Sequence, residues 1–230
     1  MVIIGDVHGD WNGISFQIRK FNIKKTNFIQ VGDFGIGFGR NDTDNLKTLN
    51  YWLVTSNCML YVCRGNHDNP GFFDIDLWDR FSNVKFVPDY TVLTIEKKKV
   101  LFIGGGISID RSQRIENRDY WKGEGVVFDL EKIKEIAQGI NVIISHSAPQ
   151  TFPPTVIGQI VYNWALKDPN ILDDVRMERI KFQEICDEII KLNPKKRIKW
   201  VYGHFHHSKN SVYKNIASRL LDCNEWFEIK

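Results

Sequence analysis

Asp6 and His8 stand two residues apart in Gly5-Asp6-Val7-His8-Gly9-Asp10, directly after the apolar run Val2–Ile4. Burial penalises carboxylates and imidazoles at the end of an inner strand unless something pairs with them. One such cluster is weak, because Asp and Gly are ordinary turn residues after a strand. The pattern recurs, however. Phe28-Ile29-Gln30-Val31 runs into Gly32-Asp33, and Leu60–Cys63 into Arg64-Gly65-Asn66-His67-Asp68. Val142–Ser145 runs into His146, and Lys199–Tyr202 into Gly203-His204-Phe205-His206-His207. All six histidines of the chain fall in these stretches. Imidazole, carboxylate and amide oxygen suit manganese, iron or zinc, while the absence of clustered cysteines argues against a structural zinc site. Asp6, His8, Asp33, Asn66, His146, His204 and His206 are seven ligands, too many for one tetrahedral ion. They suit two ions sharing a carboxylate, the arrangement that at about 3.5–4 Å separation clamps an in-line displacement at phosphorus.

These residues converge only if their strands end at one edge. Strands are expected at Val2–Ile4, Phe28–Val31, Leu60–Cys63, Thr91–Ile95, Val100–Ile103, Val142–Ser145, Lys199–Tyr202 and around Ser211–Tyr213. Helices fit at Asn12–Phe21, Asp44–Val54, Asp129–Gln138 and Ile171–Leu192, the last carrying Ile171, Val175, Phe182, Ile185, Ile189 and Leu192 on one face. Early strand–helix alternation predicts α/β, and the strands crowded between 84 and 103 predict a mixed sheet. Ligand sites in such sheets form beyond the carboxyl ends of the strands. No repeat or linker-like stretch interrupts residues 1–230, which reads as one domain.

Composition narrows the class. A 43% hydrophobic and 26% charged chain is an ordinary globular protein. Its net charge of +3 tolerates an anionic substrate without demanding nucleic acid, and no basic stripe interleaves with aromatics as in a nucleic-acid-binding module. The four cysteines show no CxxC pairing, which points to free thiols in a reducing, cytoplasmic compartment. No apolar stretch approaches the roughly 20 residues of a membrane span, and the opening strand leaves no room for a signal peptide.

The series GDVHG, GD, GNHD, SH and GHFH, running from residue 5 to residue 206, resembles the five motif blocks of the calcineurin-like metallophosphoesterases. The resemblance implies an α/β sandwich of two mixed β-sheets flanked by helices, with two divalent metal ions at the strand ends. Manganese is the expected ion, with iron, zinc and nickel as alternatives. By motif, Asp6, His8 and His206 would hold the first ion, Asp33 would bridge, and Asn66, His146 and His204 would complete the second. His67 would be the general acid beside the leaving group, oriented by Asp68. The implied reaction is hydrolysis of a phosphate ester by hydroxide held between the ions.

Substrate signals divide. Phosphoprotein phosphatases carry an Asp-Arg pair where this chain has Ile36-Gly37, although Arg64 before GNH resembles that subgroup. The GNHD ending and Gly104–Ser108 look more like phosphodiesterases and nucleic-acid-directed members. A phosphodiester or nucleotide-type substrate is therefore expected ahead of a phosphoprotein. A trafficking scaffold that keeps this fold without turnover is the alternative of another class, but such members lack ligand histidines retained here. Arg64, Arg111 and Arg114 are candidate phosphate-binding residues, set against a solvated helix face for the latter two. Trp121 or the aromatics of residues 149–170 are candidate base-stacking platforms. Residues 149–170 follow a ligand directly, with four prolines and the aromatics Phe152, Tyr162 and Trp164. This segment is expected to cap the site, against the alternative of a short helix packed on the core.

Overall fold

The computed structural model describes residues 1–38 and 43–229. β1 (Val2–Ile4), β2 (Asn27–Gln30), β3 (Met59–Val62) and β4 (Val84–Phe86) pair in parallel, and β11 (Trp226–Glu228) adds antiparallel to β1. The second sheet contains β5 (Val92–Ile95), β6 (Lys98–Ile103), β7 (Val142–Ser145), β8 (Ile198–Tyr202), β9 (Lys209–Tyr213) and β10 (Ile216–Leu220), in the order β5-β6-β7-β8-β10-β9. Its inner pairs are parallel and both edges antiparallel.

Side-chain alternation stacks these sheets. Ile3, Ile29 and Val31 of the first pack against Val100, Phe102, Val142, Ile144 and Val201 of the second. Their strand neighbours point the other way. Ile4, Phe28, Leu60 and Val62 face α1 (Trp11–Lys20) and α2 (Thr43–Thr55). Leu101, Ile103, Ile143 and Trp200 face α3 (Leu130–Ile136) and α5 (Ile171–Leu192). The expected sandwich of two mixed sheets flanked by helices is thus the fold, and because both strand faces are covered, the strands read as continuous apolar runs. Asp10 turns the chain from β1 into α1, its carboxylate accepting from Gly13 N–H at 2.9 Å, so this acid of the opening motif is a helix cap.

Two strands were not anticipated, and the 149–170 segment contains the short helix given as the alternative to a cap. β10 inserts between β8 and β9, pairing in parallel from Ile216 against Ile198. Its hairpin turns through Lys214 at φ 52°, a left-handed position held by a residue with no turn signature. β11 is three residues long, too short to show alternation, and is fixed by pairing with β1. Within 149–170, α4 (Gln159–Ala165) packs beside α5 with Val161 as its buried residue. No helix among the described residues is long and apolar enough to cross a membrane.

Candidate metal centre

The loops after β1, β2 and β3 meet those after β7 and β8 at one edge, and the seven ligand-type side chains gather there in two groups. Ligand atoms of Asp6, His8, Asp33 and His206 lie within 4.8 Å of one another. In the second group Asn66 Oδ1 is 2.9 Å from His146 Nε2 and 3.0 Å from His204 Nδ1, and the two ring nitrogens are 3.2 Å apart. Asp33 stands between the groups. Its Oδ1 lies 3.1 Å from His146 Nε2, while Oδ2 faces His8 Nδ1 at 3.9 Å.

The backbone is bent to achieve this. His8, Asp33, His204 and His206 adopt φ of 46°, 56°, 70° and 47°, a left-handed region that non-glycine residues enter at about 1–3 kcal/mol each. Two glycines make room. A Cβ on Gly32 would come within 2.5 Å of His146 Nδ1, and one on Gly203 would collide with Asp6 Oδ1.

Two observations fit these groups to cations. Asp6 is fully buried and its Oδ1 has no hydrogen-bond partner in the protein, a state that a cation relieves. His146, also fully buried, directs Nδ1 to the Val31 carbonyl at 3.0 Å and so aims Nε2 inward, as metal-ligating histidines do. The charges are tightly linked. Burial opposes ionisation of Asp33, but His146 and His67 outweigh it and hold the carboxyl well below its usual range. Burial likewise opposes charging of His146, yet Asp33, Asp6 and Asp68 hold its pKa up at about 9. His204 goes the other way, lowered by burial and then by the charge on His146.

Sequence reasoning missed the support behind Asn66. Its amide donates to Ser108 Oγ at 3.0 Å, which turns Oδ1 toward the histidines. Ser108 is gripped in turn by Glu124, which accepts from its N–H at 2.7 Å and its hydroxyl at 2.9 Å. Burial pushes Glu124 up to about 7 despite those two bonds. The only sequence signal was the Gly104–Ser108 stretch. It is a packed turn: Gly104, Gly105 and Gly106 donate to Asp89, Arg64 and Glu124.

His67 lies at the mouth of the cluster. Its ring Nδ1 is 2.5 Å from Asp33 Oδ2, and Nε2 is 2.8 Å from Arg114 Nη2. Arg114 can only donate, so Nε2 accepts and the ring proton sits on Nδ1. The Phe38 ring packs 4.7 Å away, centre to centre. Asp68, expected to orient His67, does not touch its ring. Its carboxylate accepts from the N–H groups of Gly65, Gly35, Ile36 and Phe34 at 2.7–3.2 Å, joining the loops after β2 and β3. Burial and the charge on Asp33 push Asp68 up to about 6.

Of the three candidate phosphate-binding arginines, one reaches the cluster. Arg64 is buried against Asp89 at 2.7 Å and donates to the carbonyls of Gly123, Glu124 and Gly125. Arg111 is held by Asp168 at 2.6 Å and Asp174 at 2.5 Å, anchoring the start of α5. Arg114 faces His67 and is paired with Asp110 at 2.7 Å. Trp121 is buried beneath Phe38, with ring centres 6.1 Å apart, and is not placed to stack a base. A cavity of about 810 Å³ opens from Asp33, Asn66, His67 and His204 toward α4. Pro153, Val161 and Trp164 of the 149–170 segment form part of its wall, whereas Phe152 is core against Trp200.

The donor set, candidate metal ligands drawn from the ends of both sheets, is of the kind that holds divalent cations. Residues 1–208 match the calcineurin-like phosphoesterase family, and the chain belongs to it. It is accordingly a metal-dependent phosphoric ester hydrolase. No curated protein gives a significant match. Among solved structures, TT1561 of Thermus thermophilus aligns at TM-score 0.55 and 10% identity, over 96% of this chain and 89% of that one. A putative 5′-nucleotidase from Staphylococcus aureus aligns at TM-score 0.50 and 11% identity, over 97% and 48%. A 5′-nucleotidase from Candida albicans aligns at TM-score 0.50 and 15% identity, over 97% and 45%. This chain spans under half the length of those two nucleotidases. At these identities the likeness is one of fold.

Proposed function

We propose that this chain hydrolyses phosphate esters at a two-ion centre bridged by Asp33, and that it prefers phosphodiesters to phosphoproteins. The observation that carries this reading is the division of Asp33, one oxygen toward His146 at 3.1 Å and the other toward His8 at 3.9 Å. When bound, two divalent ions acidify water toward neutrality and neutralise charge on the phosphoryl oxygens. Manganese is the ion proposed, and Asp6, His8 and His206 on one side and Asn66, His146 and His204 on the other are the proposed ligands.

The remaining work falls to the chain. Arg114 Nη2 faces His67 Nε2 at 2.8 Å and occupies that nitrogen. A phosphoryl oxygen that takes over the guanidinium frees Nε2 to take up a proton from solvent and pass it to the departing alkoxide as the P–O bond breaks. Asp33 steadies the ring through Nδ1.

The charge available supports a diester. Arg64 and Arg111 are committed elsewhere, and Arg114 is already offset by Asp110. A phosphomonoester dianion calls for more fixed positive charge than a monoanionic diester. Nucleotide-type diesters belong to this class. A reducing, cytoplasmic setting is part of the reading, supported by four unpaired cysteines. The test compares kcat/KM for bis-p-nitrophenyl phosphate and a phosphoserine peptide after chelation and Mn²⁺ restoration. Preference for the peptide overturns the diester assignment, and no turnover of either overturns the catalytic reading.

A further inference from the structure

We infer that the ester handled here carries an aliphatic group, which lies in the cavity between the metal cluster and α4, in preference to a nucleoside. The inference rests on the phosphoesterase reading and narrows it. One end of the cavity is polar, with Asp33, Asn66, His67, Arg114 and His204. The same wall carries the apolar side chains Ile107, Ile109, Val161, Trp164, Val175 and Phe205. At about 810 Å³ it holds far more than a phosphoryl group.

The polar side chains Ser147, Glu178 and Arg179 of the wall offer a nucleoside little. Ser147 donates to Glu178 at 2.9 Å, and the other Glu178 oxygen accepts from Val126 N–H at 3.1 Å. Arg179 donates to the carbonyls of Ala148, Pro149, Phe152 and Pro154. Thr155 and Lys209 sit at the exposed rim. A base and ribose placed against the apolar part of this wall would lose water without regaining hydrogen bonds. An alkyl chain loses nothing there and gains about fourfold in binding per buried methylene. Ile160, 59% exposed, extends the apolar wall to the cavity mouth.

The test uses the p-nitrophenyl esters of methyl phosphate, hexyl phosphate and thymidine 5′-phosphate, below any micellar concentration. In each, the water oxygen bonds to phosphorus as the bond to p-nitrophenolate breaks, so the chemistry is held constant. Hexyl should exceed methyl in kcat/KM by at least about 100-fold and should also exceed thymidine. Ile160→Glu should shrink the hexyl-to-methyl ratio by about tenfold or more. Turnover of the methyl ester with no hexyl gain, or with thymidine preferred, overturns the inference alone. If no ester is turned over, the phosphoesterase reading fails, and calorimetry with hexylphosphonate and methylphosphonate still decides the cavity. Equal affinity, or a hexyl complex without a negative heat-capacity change, overturns the inference, whereas tighter hexyl binding with that change supports it.

Discussion

Replacing His67 with alanine separates proton donation from metal binding, because the structure attaches Asp33 to residue 67 in two ways. The ring Nδ1 meets Asp33 Oδ2 at 2.5 Å, but the main-chain N–H of the same residue donates to Asp33 Oδ1 at 2.7 Å. His67→Ala removes the first bond and keeps the second. Asp33 therefore stays in place and both ions should be retained. What disappears is the group able to protonate a leaving oxygen, and general acid catalysis contributes about 10²–10⁴ in rate. At 1.36 kcal/mol per tenfold, that is a barrier increase of about 3–5 kcal/mol for alkyl leaving groups. p-Nitrophenolate departs without a proton, so the loss there should be only a few-fold. The assay is kcat/KM over a series of leaving groups, with metal content measured on the same preparation. A slope against leaving-group pKa that is steeper in the variant supports proton donation. An equal loss at every leaving group, or loss of metal, refutes the reasoning.

Asp33→Ala should lower metal content at both sites together and abolish activity, since its two oxygens face His146 of one group and His8 of the other; elemental analysis showing one ion fully retained contradicts the bridge. Arg64→Ala strands Asp89 and three carbonyls and should cost about 3–5 kcal/mol of stability, read by denaturant unfolding, whereas Arg114→Ala, which gives up Asp110 and bonds to Ser108 Oγ and the Asp119 carbonyl, should cost less stability and depress kcat/KM more per folded molecule. Acid should weaken metal binding, because His146, held up at about 9, must shed its proton to accept an ion. Calorimetric titration with Mn²⁺ should show affinity rising about tenfold between pH 7 and pH 8, and a flat profile contradicts this. The same shift stabilises the metal-free fold most below about pH 6.5 and is lost as pH rises through about 9, which thermal melts of chelated protein will show.

The positions of Asp6, Asp33, Asn66 and His146 were legible because each follows an apolar run by one or a few residues, and a strand carries its end to the sheet edge whatever happens elsewhere. Partners far apart in sequence were not legible. Arg64 looked available until Asp89 closed on it, and Arg111 until Asp168 and Asp174 did. Asp68 stood beside His67 in the chain, yet its carboxylate turns to the loop after β2. Glu124, between two glycines, gave no sign that it grips Ser108 behind Asn66. Strands β10 and β11 owe their conformation to the neighbours they pair with, and seven residues of α4 are too few for a clear helical period.

Each ligand group draws from both halves of the sandwich. Asp6 and His8 come from the first sheet and His206 from the second; Asn66 comes from the first, His146 and His204 from the second. An ion held by either group as proposed would rivet the layers together, and opening them to unfold would require its release. At a metal concentration a thousandfold above the dissociation constant, one such ion adds about 4 kcal/mol against unfolding, comparable to a disulfide closing a long loop. Metal supply would then govern how long the chain survives as well as how fast it turns over. A cell short of the ion would hold a looser sandwich, its inner faces opening more often to proteases.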